Sequence, residues 1–418
     1  MVSSNSTSGM IYTKKKVLYL AYDGMTDPLG QSQVLSYLKG LSKHGYSFDV
    51  IGFEKPEIYE ERKKDVYSFI EGFDIRWIAK KYHKSPPVFS TIFDIEVARK
   101  EVAKLCRENK YDIVHCRGYI LADVAITAKK LTGAKFIFDM RGWWPDEKKE
   151  SGLWNSFLFN PVYKYYKRQE RKYFEESDIA ISLTNIGKST IEKLSLKSPD
   201  SISVIPTCVN FELFKPFDQN QRDKTRTALS IPKDALVMLY SGSVGANYRT
   251  DLVLKLFSHL HSLHTNSYLF FLSHAEHSII NSAIEEANID KDYVRIQSAK
   301  YHEVSNYLVA GDIGVIMYNT GFSVIGRSPT KLGEYWASGL NVLAAKGIGD
   351  LETIMAQYPE GGVLVDNLTD DNAFKNAVLQ ILKQSRNKER LREYANQYFS
   401  LESGISKYLA IYKKLCSS

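Results

Sequence analysis

A chain of 418 residues with 44% apolar content exceeds what one hydrophobic core usually serves, so two α/β domains of roughly 200 residues each are expected. Its four cysteines, Cys106, Cys116, Cys208 and Cys416, are scattered without a CxxC pair, which argues against a zinc site or a disulfide framework and for a reducing, cytoplasmic setting. The net charge of +7 sits in the first half, where residues 1–210 hold 33 Lys and Arg against 26 Asp and Glu while residues 211–418 hold 22 of each; an anionic membrane surface or an acidic acceptor suits that half better than nucleic acid, for which no reader motif is present.

The polar start predicts a disordered tail over residues 1–12. The apolar run Val17 to Tyr22 stops at Asp23, too short for a signal peptide or a membrane span, and no later run approaches the ~18 apolar residues a span needs. That run is instead a first strand. Pro28-Leu-Gly30 turns it into a helix through Leu41, and Gly30 is expected to let the backbone turn sharply under a ligand. Strands follow at Phe48 to Phe53 and Ile75 to Ile78, separated by a charged helix, Glu57 to Ile70. After a helix from Thr91 to Arg107 comes the strand Tyr111-Asp-Ile-Val-His115. Ligand residues in open α/β sheets sit at the carboxyl ends of strands, which singles out His115 and Arg117, and likewise Asp139 and Arg141 after the strand at Phe136. A structural histidine is the plainer account of His115.

Gly142-Trp143-Trp144-Pro145-Asp146-Glu147 reads as an aromatic, acidic loop whose tryptophans would be exposed and would stack on a sugar or pack at an interface. The basic, aromatic helix Lys164 to Phe174 either lies on an anionic bilayer or is a solvated face with its tyrosines turned inward. Strands at Ile179 to Leu183 and Ile202 to Ile205, with a helix near Ile186 to Leu194, complete a first sheet. Pro206 to Pro216 is the expected crossing. The alternation then restarts with a strand at Leu236 to Tyr240, a turn from Ser241 to Arg249 containing Gly242, Ser243 and Gly245, and a helix through His264. Strands at Tyr268 to Leu272, Tyr293 to Ile296 and Ile313 to Met317 are interleaved with helices Glu276 to Ala287 and His302 to Val309.

The most informative stretch runs from Gly326 to Ala344. Pro329 suits a first helical position, Ser328 suits its cap, and Gly339 suits the left-handed residue that ends it before a strand at Asn341. Free amides at that helix start, with Ser328, Thr330 and Lys331, would cradle a phosphate or diphosphate; Glu334, one turn on, would accept hydrogen bonds from sugar hydroxyls. An ordinary capped helix with Lys331 and Glu334 solvated is the alternative. A strand at Gly362 to Val365 and helices Asp371 to Gln384, Lys388 to Ala395 and Glu402 to Leu415 close the chain. The expected division is an N-terminal domain over 13–210, a C-terminal domain over 211–395, and a helix over 396–418.

Taken in order, Pro28-Leu-Gly30, Asp112-Ile-Val-His115, Ile205 to Pro216, Tyr240-Ser-Gly-Ser-Val-Gly245 and Ser328-Pro-Thr-Lys-Leu-Gly-Glu-Tyr335 with Gly339 resemble glycosyltransferase family 4, of GT-B fold. The resemblance implies two doubly wound Rossmann-like domains facing a central cleft, the second holding a nucleotide-diphospho-sugar, the first an acceptor, and the last helix packing back on the first. It implies a retaining, hexosyltransferase-type reaction without metal ion or cofactor, the nucleotide sugar being a substrate whose base is not readable. Carried over by position, Ser328, Pro329, Thr330 and Lys331 bind diphosphate, Glu334 the ribose, His115 approaches the donor sugar and Gly30, Gly242 and Ser243 line the donor site. The family's paired glutamates would place the first at position 326, which is Gly326 here. The second phosphate-binding cation is assigned to Arg249, with Arg327 as the alternative, and Asp139 is the base candidate or an orienting group. Arg117, Arg141, Trp143 and Trp144 are assigned to the acceptor. Cys208, Asn210 and Asn341 replace more usual family residues and read as structural. The acceptor is expected to be a glycan or a lipid-linked molecule in surface-polysaccharide synthesis at the inner face of a membrane. A catalytically silent GT-B subunit and a GT-B sugar-nucleotide epimerase are the alternatives.

Overall fold

A computed structural model describes residues 14–245 and 248–417. The tail over residues 1–12, and Ala246 and Asn247 of the second glycine turn, lie outside the described residues. Every strand read from the sequence is present: β1 (Lys15–Ala21), β2 (Tyr46–Glu54), β3 (Ile75–Lys81), β4 (Ile113–Arg117), β5 (Lys135–Asp139), β6 (Ile179–Ser182), β7 (Ile202–Val204), β8 (Leu236–Ser241), β9 (Ser267–Leu272), β10 (Val294–Gln297), β11 (Ile313–Ile316), β12 (Asn341–Ala345) and β13 (Gly362–Val365).

Two sheets form, with orders β3-β2-β1-β4-β5-β6-β7 and β10-β9-β8-β11-β12-β13. Both are doubly wound. β1 pairs parallel with β2 on one side and β4 on the other, and β8 likewise with β9 and β11, so each sheet reverses direction of growth beside its first strand. Ligands of such sheets sit at the carboxyl ends of the strands flanking that reversal. The strands read as continuous apolar runs because helices cover both faces, as the wholly buried β4 and β12 illustrate.

Packing divides the chain into two units, Met1–Ile137 with Tyr408–Ser418, and Phe138–Lys407. In the second, a buried ion cluster fixes β8 against β11. The fully buried Arg226 donates to the carbonyls of Lys233, Ala235 and Ala310 and to Asp312, which also accepts from Arg222 and from the Val237 amide. Burial alone would raise the Asp312 carboxyl, but the two arginines outweigh it and hold it below the usual carboxylate range. The helix carrying those arginines, Gln219–Ala228, was not expected from sequence, since its buried residues are Arg222, Thr225 and Arg226 and no apolar stripe marks it.

Two other expectations change. β4 runs on through Arg117, which places His115 in mid-strand and not at its end, because residues 113–117 are all buried and stay in register with β1. The stretch expected to be an aromatic loop winds into a helix, Trp144–Glu150, with Pro145 in its first turn, where a missing N–H costs nothing. Among the described residues no helix is long and apolar enough to cross a membrane.

Candidate active site

Cations and aromatic rings converge in the second unit around the helix Thr330–Ala337. Pro329 stands just before this helix, and no side chain caps its first amides. Ser328 is therefore not the cap it was expected to be. Its hydroxyl accepts from the Thr207 amide at 3.2 Å and its carbonyl accepts from the Thr207 hydroxyl at 2.8 Å, so Ser328 ties the helix start to the segment after β7. Gly339 ends the helix as expected, at φ +82. The amides of Gly339 and Leu340 reach back to the carbonyls of Trp336 and Tyr335.

Lys331 is not solvated. The residue is only 9% exposed, and its ammonium nitrogen lies 4.1 Å from the ring centroid of Tyr240, 4.7 Å from that of Tyr248 and 5.8 Å from that of Tyr318. Ring faces offer a cation partial negative charge without neutralising it. Burial draws Lys331 down to about 7, against the pull of the Glu334 charge, and burial pushes Glu334 up to about 7, against the pull of Lys331. The glycine turn after β8 accommodates this lysine. Gly242 has φ +110, and a Cβ there would stand 2.9 Å from Lys331 Cε. Tyr240 is held by its own hydroxyl, which donates to the Ser243 carbonyl at 2.5 Å.

Of the two candidate second cations, Arg327 lies beside this cage and Arg249 is engaged elsewhere. Arg327 sits 5.0 Å over the Tyr318 ring, with Nη2 3.1 Å from Glu147 Oε1. Arg249 folds onto Asp251 of its own helix through two hydrogen bonds, at 2.8 and 2.6 Å.

At the end of β5, Asp139 is fully buried, and Arg141 Nη1 lies 3.7 Å from its Oδ2. Arg141 adopts φ +56, a conformation an L-residue holds only when its surroundings impose it. The tryptophans that follow are not the exposed stacking surfaces expected. Trp143 is wholly buried, 5.0 Å from Phe322, and Trp144 packs edge-on against Trp154 and Tyr166. This explains Gly326. A Cβ at that position would stand 2.9 Å from Trp143 Cδ1 and 3.2 Å from Gly142 Cα, so no side chain fits.

Gly30, His115 and Arg117 belong to the first unit. Gly30 has ordinary helical angles, φ −61 and ψ −43, and makes no sharp turn. It is glycine because a Cβ would stand 2.1 Å from the Gly24 carbonyl oxygen. That Gly24–Thr26 turn is fastened by Glu54, which accepts from the amides of Met25 and Thr26 and from the Thr26 hydroxyl. His115 is 1% exposed, its Nδ1 2.8 Å from the Tyr412 hydroxyl and its ring against Tyr19 and Tyr408. Arg117 donates from Nε to Asp23 at 3.0 Å. The replaced family positions serve local structure: Asn341 donates to the Glu360 carbonyl, Asn210 accepts from the Glu212 amide, and the Cys208 thiol faces the Pro206 carbonyl.

Sequence reading missed the tyrosine cage and Glu147. A signal existed for part of it, since Tyr240 lies at the end of β8 and Tyr318 two residues beyond β11, the carboxyl ends flanking the reversal of the second sheet. Together, Lys331, Arg327 and the uncapped amides form a site able to take up the charge of a departing polyanion.

Residues 30–213 match the family model described as Glycosyltransferase Family 4, and residues 221–398 the one described as Glycosyl transferases group 1. A D-inositol 3-phosphate glycosyltransferase of Nocardioides sp. is 23% identical over 344 residues, which cover 77% of this chain and 71% of that protein. A glycosyltransferase structure from Rickettsia africae superposes with TM-score 0.68 at 19% identity, covering 97% of this chain and 99% of its own. HepE of Anabaena, solved with UDP and glucose, gives TM-score 0.69 at 14% identity, with 97% and 100% covered. At such identities the structural likeness speaks for the fold.

Proposed function

Since the chain belongs to glycosyltransferase family 4 and is a GT-B glycosyltransferase, we propose that it moves a hexose from a nucleoside diphosphate sugar to a glycan or lipid-linked acceptor, with retention and without a metal ion. The observation that carries this reading is Lys331, an ammonium group 9% exposed at an uncapped helix start and caged by three tyrosine rings. A departing nucleoside diphosphate gathers negative charge on its phosphates. Lys331, Arg327 and the amides of Thr330 and Lys331 would stabilise that charge, which is the work a divalent ion does elsewhere. So good a leaving group needs no acid. In a front-face mechanism the departing phosphate takes the acceptor proton, which leaves Asp139 an orienting role through Arg141.

The acceptor is proposed to be part of surface-polysaccharide synthesis at a cytoplasmic membrane face, with the basic first half toward anionic lipid. Gly326 favours a second reading, a silent GT-B subunit, because the expected carboxylate is absent there. Calorimetric titration with UDP-, GDP- and dTDP-sugars, followed by slow donor hydrolysis with and without EDTA, separates the two. The transferase reading expects one nucleotide class to bind and to turn over equally in EDTA. A silent subunit would turn over none.

A further inference from the structure

Position 326 is closed to a side chain by the Trp143 indole edge, yet a carboxylate reaches the guanidinium of the next residue, Arg327. Trp143, which precedes the Trp144–Glu150 helix, and Glu147 and Glu150 on it all reach the segment 321–327. Trp143 packs on Phe322 and against Gly326. Glu150 is consumed by the segment's backbone, accepting from the amides of Phe322 and Ser323 at 2.6 and 3.0 Å and from the Ser323 hydroxyl. Glu147 lies between them. Its Oε1 is 3.1 Å from Arg327, the residue that follows Gly326, and its side chain keeps 32% of its surface open. Its charge is felt at Tyr248 and Tyr318, two of the three rings around Lys331.

We propose that Glu147 is a sugar-binding residue, supplying from the Trp144–Glu150 helix the carboxylate that position 326 cannot carry and accepting hydrogen bonds from hydroxyls of the transferred sugar. The proposal rests on the transferase reading above. Arg327 then has two tasks, holding Glu147 in place and facing the diphosphate. A carboxylate fixed by an arginine is pre-oriented toward a polyol, and it remains accessible to one where the sealed Trp143 does not.

The test is a pair of titrations on wild type, Glu147→Gln and Glu147→Ala: UDP, GDP and dTDP alone, and UDP-glucose, GDP-mannose and dTDP-glucose. For the nucleotide that wild type binds, both variants should keep the nucleoside diphosphate affinity within ~2-fold or tighten it, since Arg327 is left free. The same variants should bind the sugar conjugate at least ~10-fold more weakly, the scale of one lost charged hydrogen bond, and the alanine should lose more than the glutamine. Parallel weakening of both ligands would overturn the proposal by showing that Glu147 acts only through Arg327, and so would unchanged binding of both. If wild type binds no nucleoside diphosphate, the transferase reading fails first and takes this one with it.

Discussion

Lys331 and Glu334 face each other's titration from one side of one helix. With Lys331 drawn down to about 7 by burial, its amine is about half protonated at neutral pH. Bound diphosphate favours the charged form, so binding must return the missing proton. Affinity for the matching nucleoside diphosphate should therefore fall as pH rises above about 7, by up to ~10-fold per unit, with proton uptake visible as a buffer-dependent enthalpy at pH 8. Lys331→Arg should remove that slope, because a guanidinium stays charged throughout. A wild-type affinity that is flat to pH 9 would show that Lys331 does not meet the phosphates. Below about 7 the Glu334 carboxylate is neutralised; if it holds the ribose, as proposed from its position, nucleotide affinity should fall there too.

At the scale of single elements, two helices were read in part. The basic helix, Asn160–Glu176, does turn Tyr166 and Tyr173 inward while Lys164, Tyr165, Arg168 and Arg171 stay exposed. Just before it, Phe157 and Leu158 are 77% and 68% exposed, apolar side chains beside a basic face, as an interfacial helix requires. The chain should therefore bind vesicles containing anionic lipid and release them as salt approaches ~1 M, where screening shortens to ~3 Å. Replacing both Phe157 and Leu158 by Ser should weaken that binding at least ~10-fold. Equal binding to neutral vesicles would contradict an electrostatic role for this face. The Trp144–Glu150 helix, the burial of Trp143 and the packing of Trp144 are not legible in the local composition, which is that of an exposed loop. The partners of these tryptophans, Phe322 on one side and Trp154 and Tyr166 on the other, come from elsewhere in the chain.

Across the molecule, what was legible in the sequence was local and what was hidden was long-range. The strands showed because a parallel sheet covered on both faces demands continuous apolar runs, and Gly339 showed because a left-handed helix end favours glycine. Ser328 misled because its role depends on Thr207, 121 residues away in the chain. The same holds for the rings around Lys331, which come from the ends of β8 and β11 and from the glycine turn between them. Even the glycine at position 326 has a long-range cause, the Trp143 indole that occupies its side-chain space. The central claim is that caged Lys331 receives the charge of a leaving nucleoside diphosphate. Its most direct test is turnover of the best donor by Lys331→Ala, with circular dichroism confirming an intact fold. Transfer slowed at least ~100-fold, the scale of losing one charge-stabilising donor, is the result this account predicts. Unchanged turnover would contradict it.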